Sequence, residues 1–255
     1  MPTNKAIITT LTQKVSRRVK SFALLIDPDN VDEATCLQTL QLAKEQGADY
    51  LFIGGSLITG NNLNQVVRMA KEHTTLPVIL FPGSNLHIDT EADAILLLSL
   101  ISGRNPDLLI GQHIIAAPIL KRSTLEVLPT GYMLVDTGRQ TTVSYISNTT
   151  PIPYDKTSVA ACTAMAGEML GLQLIYMDGG SGAAQPISIA MIYAVINATE
   201  VPLIVGGGLD TPEKAIEALQ AGADVVVVGN AIEKDLSLIG KIAERVRRMN
   251  EQQAS

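Results

Sequence analysis

The stretch YMDGGSGA, Tyr176 to Ala183, sets a hydroxyl, a lone acid, Gly179, Gly180, Ser181 and Gly182 directly after an apolar run, which is too particular for a generic turn. Similar chemistry recurs along the chain. Asp27, Pro28 and Asp29 follow one apolar run, Gly54, Gly55 and Ser56 a second, and Pro82, Gly83 and Ser84 a third; Gly206, Gly207 and Gly208, then Gly229 and Asn230, follow the last two. The glycine pair GGG and GN suits a phosphate held by backbone N–H groups, because glycine lets the backbone approach an anion; tight turning alone is the alternative. A dinucleotide fingerprint fails, since the G-x-G-x-x-G count from Gly206 reaches Thr211 where glycine is required. Asp27 facing Ser56 offers a carboxylate and a hydroxyl beside substrate phosphates, an ordinary Mg2+ environment, although an Asp in such a place is also a common turn former or helix cap. Asp29, ahead of Val31, is expected to be the capping residue. His73 looks like a solvated helix end, and His87 and His113 look like partners in local polar contacts, with no ligand spacing among the three.

These groups need a scaffold that brings strand ends together. Short apolar runs alternate with amphipathic stretches almost from end to end, the pattern of βα units on a parallel sheet. Eight strands are expected: SFALLID, DYLFIGG, PVILFPG, AILLLSL, GYMLVDT, LQLIYMDG, PLIVGGG and DVVVVGN. That count in 255 residues fits an α/β fold of the (β/α)8 TIM-barrel type, one domain spanning residues 1–255, better than an open doubly wound sheet. In such a barrel the active site lies at the C-terminal strand ends, where the acids, hydroxyls and glycines collect.

Two irregularities stand out. Only ten residues, SNLHIDTEAD, separate the third and fourth strands, whereas a parallel crossover normally takes roughly a dozen or more. The third helix is therefore expected to be missing or replaced by a short extended segment. The β-branched alternation of TTVSYISNTT, Thr141 to Thr150, predicts an extra strand or hairpin, followed by a helix opening near Asp155. The last helix shows a buried stripe of Leu236, Ile239, Ile242, Val246 and Met249, which leaves Arg245, Arg247 and Arg248 solvated.

Composition narrows the function classes. Hydrophobic residues make up 46% with three Phe and no Trp, so the core must be aliphatic, as in sheets buried on both faces. A formal charge of −6 without a basic cluster argues against nucleic acid as a partner. Cys36 and Cys162 fall in helix-like segments without metal-ligand spacing, so a reducing cytoplasm is the simplest location. The N-terminal stretch has no signal-peptide core and no apolar run approaches a transmembrane segment, although action on a lipid at a membrane surface stays open.

Taken together, the DPD of the first strand, the GGS of the second, FPGSNLHIDTEADAILLLSLISGRNP, YMDGGSGA, the GGG and the terminal GN resemble the geranylgeranylglyceryl phosphate synthase family, also called the PcrB family. The likeness spans nearly the whole chain, and the short link after the third strand fits this family's barrel without a full third helix. It implies a prenyltransferase: the sn-3 hydroxyl of sn-glycerol 1-phosphate attacks C1 of a polyprenyl diphosphate, geranylgeranyl before longer chains, giving an ether and diphosphate. On matching positions, Asp27 and Ser56 would bind Mg2+. Tyr176, Met177, Asp178, Gly179, Gly180, Ser181 and Gly182, with Gly207, Gly208, Gly229 and Asn230, would hold glycerol 1-phosphate.

The resemblance implies that Asp178 would take the proton, where the family usually has Glu; Tyr176 could hydrogen-bond a glycerol hydroxyl or serve as an amphipathic plug at the barrel mouth. Leu25 stands where some members carry Lys, leaving phosphate recognition to Ser181 and glycine N–H groups. Arg104 could reach the diphosphate or form a structural salt bridge. The gap of the third helix offers room for an apolar prenyl groove. Tyr145 could lie at a subunit contact of a homo-oligomer, a dimer or hexamer. Two other readings of the glycine loops are a phosphosugar isomerase or lyase, and a non-catalytic barrel that binds a phosphorylated ligand such as a flavin nucleotide.

Overall fold

The computed structural model describes residues 6–254; the first five residues of the N-terminal stretch, where no signal-peptide core is expected, lie outside them. Eight parallel strands close into a barrel in chain order: β1 (Ser21–Ile26), β2 (Tyr50–Gly55), β3 (Val78–Pro82), β4 (Ala94–Leu100), β5 (Glu126–Leu134), β6 (Leu174–Asp178), β7 (Leu203–Gly206) and β8 (Val225–Val228). Around them run α1 (Ala6–Ser16), α2 (Glu33–Gln46), α3 (Leu63–His73), α4 (Gln112–Arg122), α5 (Thr142–Ser147), α6 (Thr157–Met169), α7 (Ile189–Ile196), α8 (Pro212–Gln220), α9 (Asn230–Lys234) and α10 (Ser237–Ala254).

Strand alternation divides the apolar residues into two cores. Ala23, Phe52, Ile79, Leu96, Tyr132, Tyr176, Ile204 and Val227 fill the barrel interior. Their neighbours Leu24, Leu51, Leu80, Ile95, Met133, Met177, Val205 and Val228 face the helices. A period of two along each strand dictates this sorting. At the N-terminal end of the barrel, Ile7 and Leu11 of α1 join the interior core, and Glu126, at the start of β5, accepts hydrogen bonds from the N–H groups of Ile7 (2.8 Å) and Ile8 (2.9 Å). A buried carboxylate thus satisfies donors that the first turn of a helix leaves without partners.

Between β3 and β4 the expected helix is indeed absent, replaced by one 3-10 turn, Asn85–His87. Ser84 Oγ accepts from the Leu86 N–H, and His87 Nδ1 accepts from the Gly83 N–H. The consequence is a weak seam: β3 and β4 share only the register pairs Ile79 with Ala94 and Leu80 with Ile95, against seven pairs between β4 and β5. Beyond these pairs β3 and β4 share no ladder, and a cavity lined by both strands opens there.

Two expectations need correction. TTVSYISNTT forms α5 and not a strand or hairpin. Ser144 Oγ accepts from the Thr141 N–H at its start, Asn148 ends it in the left-handed conformation (φ 49°), and Val143 and Ile146, one turn apart, face the gap beside β4. Packing over that gap overrides the β-branched propensity. Asp29 caps no helix: the N-cap of α2 is Asp32, while Asp29 accepts from the Thr59 N–H (2.6 Å), the Thr59 hydroxyl (2.9 Å) and the Gly60 N–H (2.9 Å), tying the loops after β1 and β2 together. The stripe of the last helix is buried at Ile239, Ile242 and Val246, and Arg245 and Arg248 on its other side pair with Glu213 and Glu244.

Candidate active site

The C-terminal strand ends surround a cavity of about 610 Å3. Asp27, Gly55, Ser56, Tyr176, Asp178, Gly180, Ser181, Gly182, Gly207, Gly208, Gly229 and Asn230 all line it, so residues spread over two hundred positions meet in one place. Two residues from the sequence reading do not reach it. Met177 points into the helix layer because it lies between two inward residues of β6, and Gly179 is drawn against β7, its N–H bonded to the Gly206 carbonyl.

The glycine loops form one connected cradle. Ser181 Oγ lies 3.1 Å from Asn230 Oδ1, and Asn230 Nδ2 donates to Ser181 Oγ at 3.0 Å, joining the loops after β6 and β8. Gly207 has φ +83°, and a Cβ there would sit 2.6 Å from the Gly179 nitrogen and 2.9 Å from Asp178 Oδ1. No other residue fits between that loop and the acid.

Asp178 is the buried acid of the site. Burial pushes its carboxyl above the usual carboxylate range, while hydrogen bonds from the Tyr132 hydroxyl to Oδ2 (2.6 Å) and from the Gly180 N–H to Oδ1 (2.7 Å) favour the ionised form. Tyr132 and Tyr176 are held well above the ordinary phenol range, chiefly by burial, and stay neutral. Tyr176 stacks on Phe81 with centroids 5.1 Å apart, and Tyr132 lies tilted against both rings.

Opposite lies Asp27, raised mainly by burial, with Asp29 adding repulsion. Glu233 of α9 is also raised, by burial and then by Asp27 among its neighbours, and Asn30 Nδ2 stands 3.3 Å from Asp27 Oδ2 and 3.5 Å from Glu233 Oε2. No cluster of three or more His, Cys, Asp or Glu suited to a metal occurs among the described residues. The donor set nonetheless suits Mg2+, which is commonly held by one or two carboxylates plus substrate phosphates and water. Gly55 supports the fit: a Cβ there would lie 3.2 Å from Asp27 Oδ2, filling space beside the carboxylate and next to Ser56.

Several site residues escaped the sequence reading. Tyr132, Arg139 and Glu233 belong to no glycine motif, and Phe81, though it opens the FPG segment, was not assigned to the site; the inward register of β5 and β3 could have placed Tyr132 and Phe81. Arg139 and Lys234, not Arg104, are the cations lining the cavity; exposed Arg104 donates to the Gly103 carbonyl (2.7 Å) and makes no ion pair among the described residues. Leu25 lines the cavity and lies against Gly229, so the first strand indeed supplies no cation. His87 and His113 make local contacts as expected, the latter between Nε2 and the Leu98 carbonyl (2.9 Å).

A second cavity, about 350 Å3, opens through the seam between β3 and β4. Phe81, Ile88, Leu96, Leu98, Leu100, Leu108, Val143 and Ile146 give it an apolar wall. It shares Gly55, Ser56 and Phe81 with the polar cavity, so a glycine-lined pocket and an apolar groove meet at the ends of β2 and β3.

Fold and site together define a (β/α)8 barrel of the kind whose loops after the seventh and eighth strands suit a phosphate, here joined to an apolar groove. Comparison with known proteins makes this specific: the model of the PcrB family matches residues 14–246, and the chain belongs to that family. It is 58% identical over 238 residues to the geranylgeranylglyceryl phosphate synthase of Spirosoma linguale, covering 93% of this chain and 95% of that one. To the same enzyme of Chitinophaga pinensis it is 52% identical over 240 residues, covering 94% and 95%. Among solved structures, (S)-3-O-geranylgeranylglyceryl phosphate synthase from Thermoplasma acidophilum in complex with its substrate sn-glycerol-1-phosphate superposes with a TM-score of 0.89 at 31% identity, covering 95% of this chain and 98% of that one.

Proposed function

We propose that this chain is a prenyltransferase that joins the sn-3 hydroxyl of sn-glycerol 1-phosphate to C1 of a polyprenyl diphosphate, geranylgeranyl diphosphate first among them. The observation that carries the reading is the meeting of the two cavities, which suits one small polar phosphate ester and one long apolar chain. The phosphate of the glycerol substrate rests against the backbone of Gly207, Gly208, Gly229 and Asn230 and against Ser181. Tyr176 faces the glycerol moiety with a neutral hydroxyl. The prenyl chain lies along Phe81, Leu96, Leu98 and Leu100.

In the reaction the alcohol O–H bond breaks and its proton passes to the Asp178 carboxylate, the new C–O bond forms at C1, and the bond from C1 to the diphosphate oxygen breaks. Positioning carries most of this chemistry, since the allylic carbon is itself reactive. Asp27 and Ser56 would hold Mg2+, which when bound would supply charge neutralisation at the departing diphosphate. Arg139 and Lys234 add positive charge at the cavity mouth, which five acids, Asp27, Asp178, Asp210, Glu233 and Asp235, otherwise make negative.

A homo-oligomer in a reducing cytoplasm completes the reading. It is supported by exposed apolar side chains on α4 (Ile114, Ile115), on α6 and α7 (Met169, Tyr193), and by exposed Tyr145, and by the two free cysteines. No helix among the described residues is long and apolar enough to cross a membrane. The lipid product would be released at a membrane surface.

The decisive assay incubates the protein with labelled sn-glycerol 1-phosphate, its enantiomer, and prenyl diphosphates of several lengths. An extractable ether lipid from the first enantiomer, abolished by EDTA and restored by Mg2+, is expected. Absence of lipid at every chain length would sink the proposal and favour a phosphate-ligand binder.

A further inference from the structure

Tyr132 lies in no motif of the sequence, yet it makes the shortest contact to the acid of the site. The register of β5 and β6 sets Tyr132 opposite Tyr176 and Leu134 opposite Asp178, so Tyr132 stands one inward step below the acid on the neighbouring strand. Its ring packs tilted against the stacked pair of Phe81 (6.1 Å between centroids) and Tyr176 (5.6 Å), which fixes the ring plane and aims the hydroxyl. The hydroxyl reaches Asp178 Oδ2 at 2.6 Å. The ring lines the apolar groove, whereas Asp178 lines the polar cavity, so the hydrogen bond crosses the wall between them.

We infer that Tyr132 is the positioning residue for proton transfer: its hydroxyl clamps Oδ2 of Asp178 while the Gly180 N–H clamps Oδ1, leaving the remaining lone pairs of the carboxylate aimed at the alcohol. The inference deepens the proposed function and rests on Asp178 as the proton acceptor. Aspartate has one methylene fewer than the glutamate expected at this position, so its reach must be set by outside contacts. Two fixed hydrogen bonds to two different oxygens set both of its side-chain torsions. A base oriented by a third group is the arrangement that general-base catalysis uses elsewhere.

The surroundings make the effect separable. The titratable or charged groups near Asp178 are Tyr132 of β5, which reaches it from the apolar groove, and, lining the polar cavity, Tyr176 from β6, Arg139 between β5 and α5, Asp210 after β7, Asp27 after β1, and Glu233, Lys234 and Asp235 at the end of α9. Of these, only Tyr132 hydrogen-bonds Asp178. Tyr132→Phe removes that bond and keeps the ring.

The test follows kcat/KM for ether formation against pH. Tyr132→Phe is expected to move the acid limb up by about one pH unit, since a bond to the ionised form is lost, and to recover activity at alkaline pH. Tyr132→3,5-difluorotyrosine, nearly the same shape with a stronger donor, is expected to move the limb down, and it decides the matter if the phenylalanine variant does not fold. In an Asp178→Asn background, Tyr132→Phe is expected to change the residual rate by less than about twofold, because its route runs through the acid. An active wild-type enzyme whose limb stays put in these variants, or a loss that is uniform in pH, overturns the role of Tyr132 and leaves the proposed reaction standing. A wild-type protein that makes no ether overturns both.

Discussion

Burial opposes the negative charge on Asp178, and the Tyr132 hydroxyl and the Gly180 N–H oppose that penalty. A carboxyl raised above its ordinary range is a better proton acceptor than a free aspartate. Asp178→Asn keeps the size of the side chain and removes its basicity. Turnover is expected to fall by about a hundredfold or more, as for loss of a general base. Binding of glycerol 1-phosphate, measured by calorimetry, should stay within a few-fold, because the phosphate rests on the glycine loops; a parallel loss of binding would move Asp178 from catalysis to substrate holding. The glycine loops and this acid were legible in YMDGGSGA. Tyr132 and Arg139 were not, since neither sits in a motif: the pairing of β5 with β6 brings Tyr132 to Asp178, and the loop after β5 brings Arg139 to the same cavity.

The elements show how far period and propensity reach. Alternation along β6 predicts that Tyr176 and Asp178 share a side and that Met177 lies on the other, and the two cores obey it. The short link after β3 was legible from its length alone. The helix in TTVSYISNTT was not, because its apolar contacts come from the groove and not from neighbours in sequence. Another long-range contact, from Glu126 to the start of α1, spans more than a hundred positions. Glu126→Ala strands two buried or half-buried N–H groups, and a loss of about 1–3 kcal/mol in urea unfolding is expected. The kcat should not change, since α1 closes the end of the barrel opposite the site; unchanged stability would show that water replaces the carboxylate.

For the whole molecule, the arrangement of exposed apolar groups makes its own prediction. Ile114 and Ile115 are 67% and 62% exposed on α4, while Met169 and Tyr193, 84% and 63% exposed, lie on the adjoining helices α6 and α7. Water-facing apolar groups in two separate places suit two kinds of subunit contact. Light scattering at micromolar concentration is expected to give a dimer or a hexamer, and Tyr193→Lys or Ile115→Lys should lower the mass without loss of fold; a monomeric wild-type protein would remove the claim. By itself the sequence determined the eight strands, the missing crossover helix and the loops that carry glycines and acids, because each is written in local spacing and residue type. Only the tertiary structure decided which side chains meet: the Tyr132 clamp on Asp178, the seam that opens a groove beside Phe81, and Arg139 in place of Arg104. Those contacts join residues far apart in sequence, and the register and closure of the barrel set their distances.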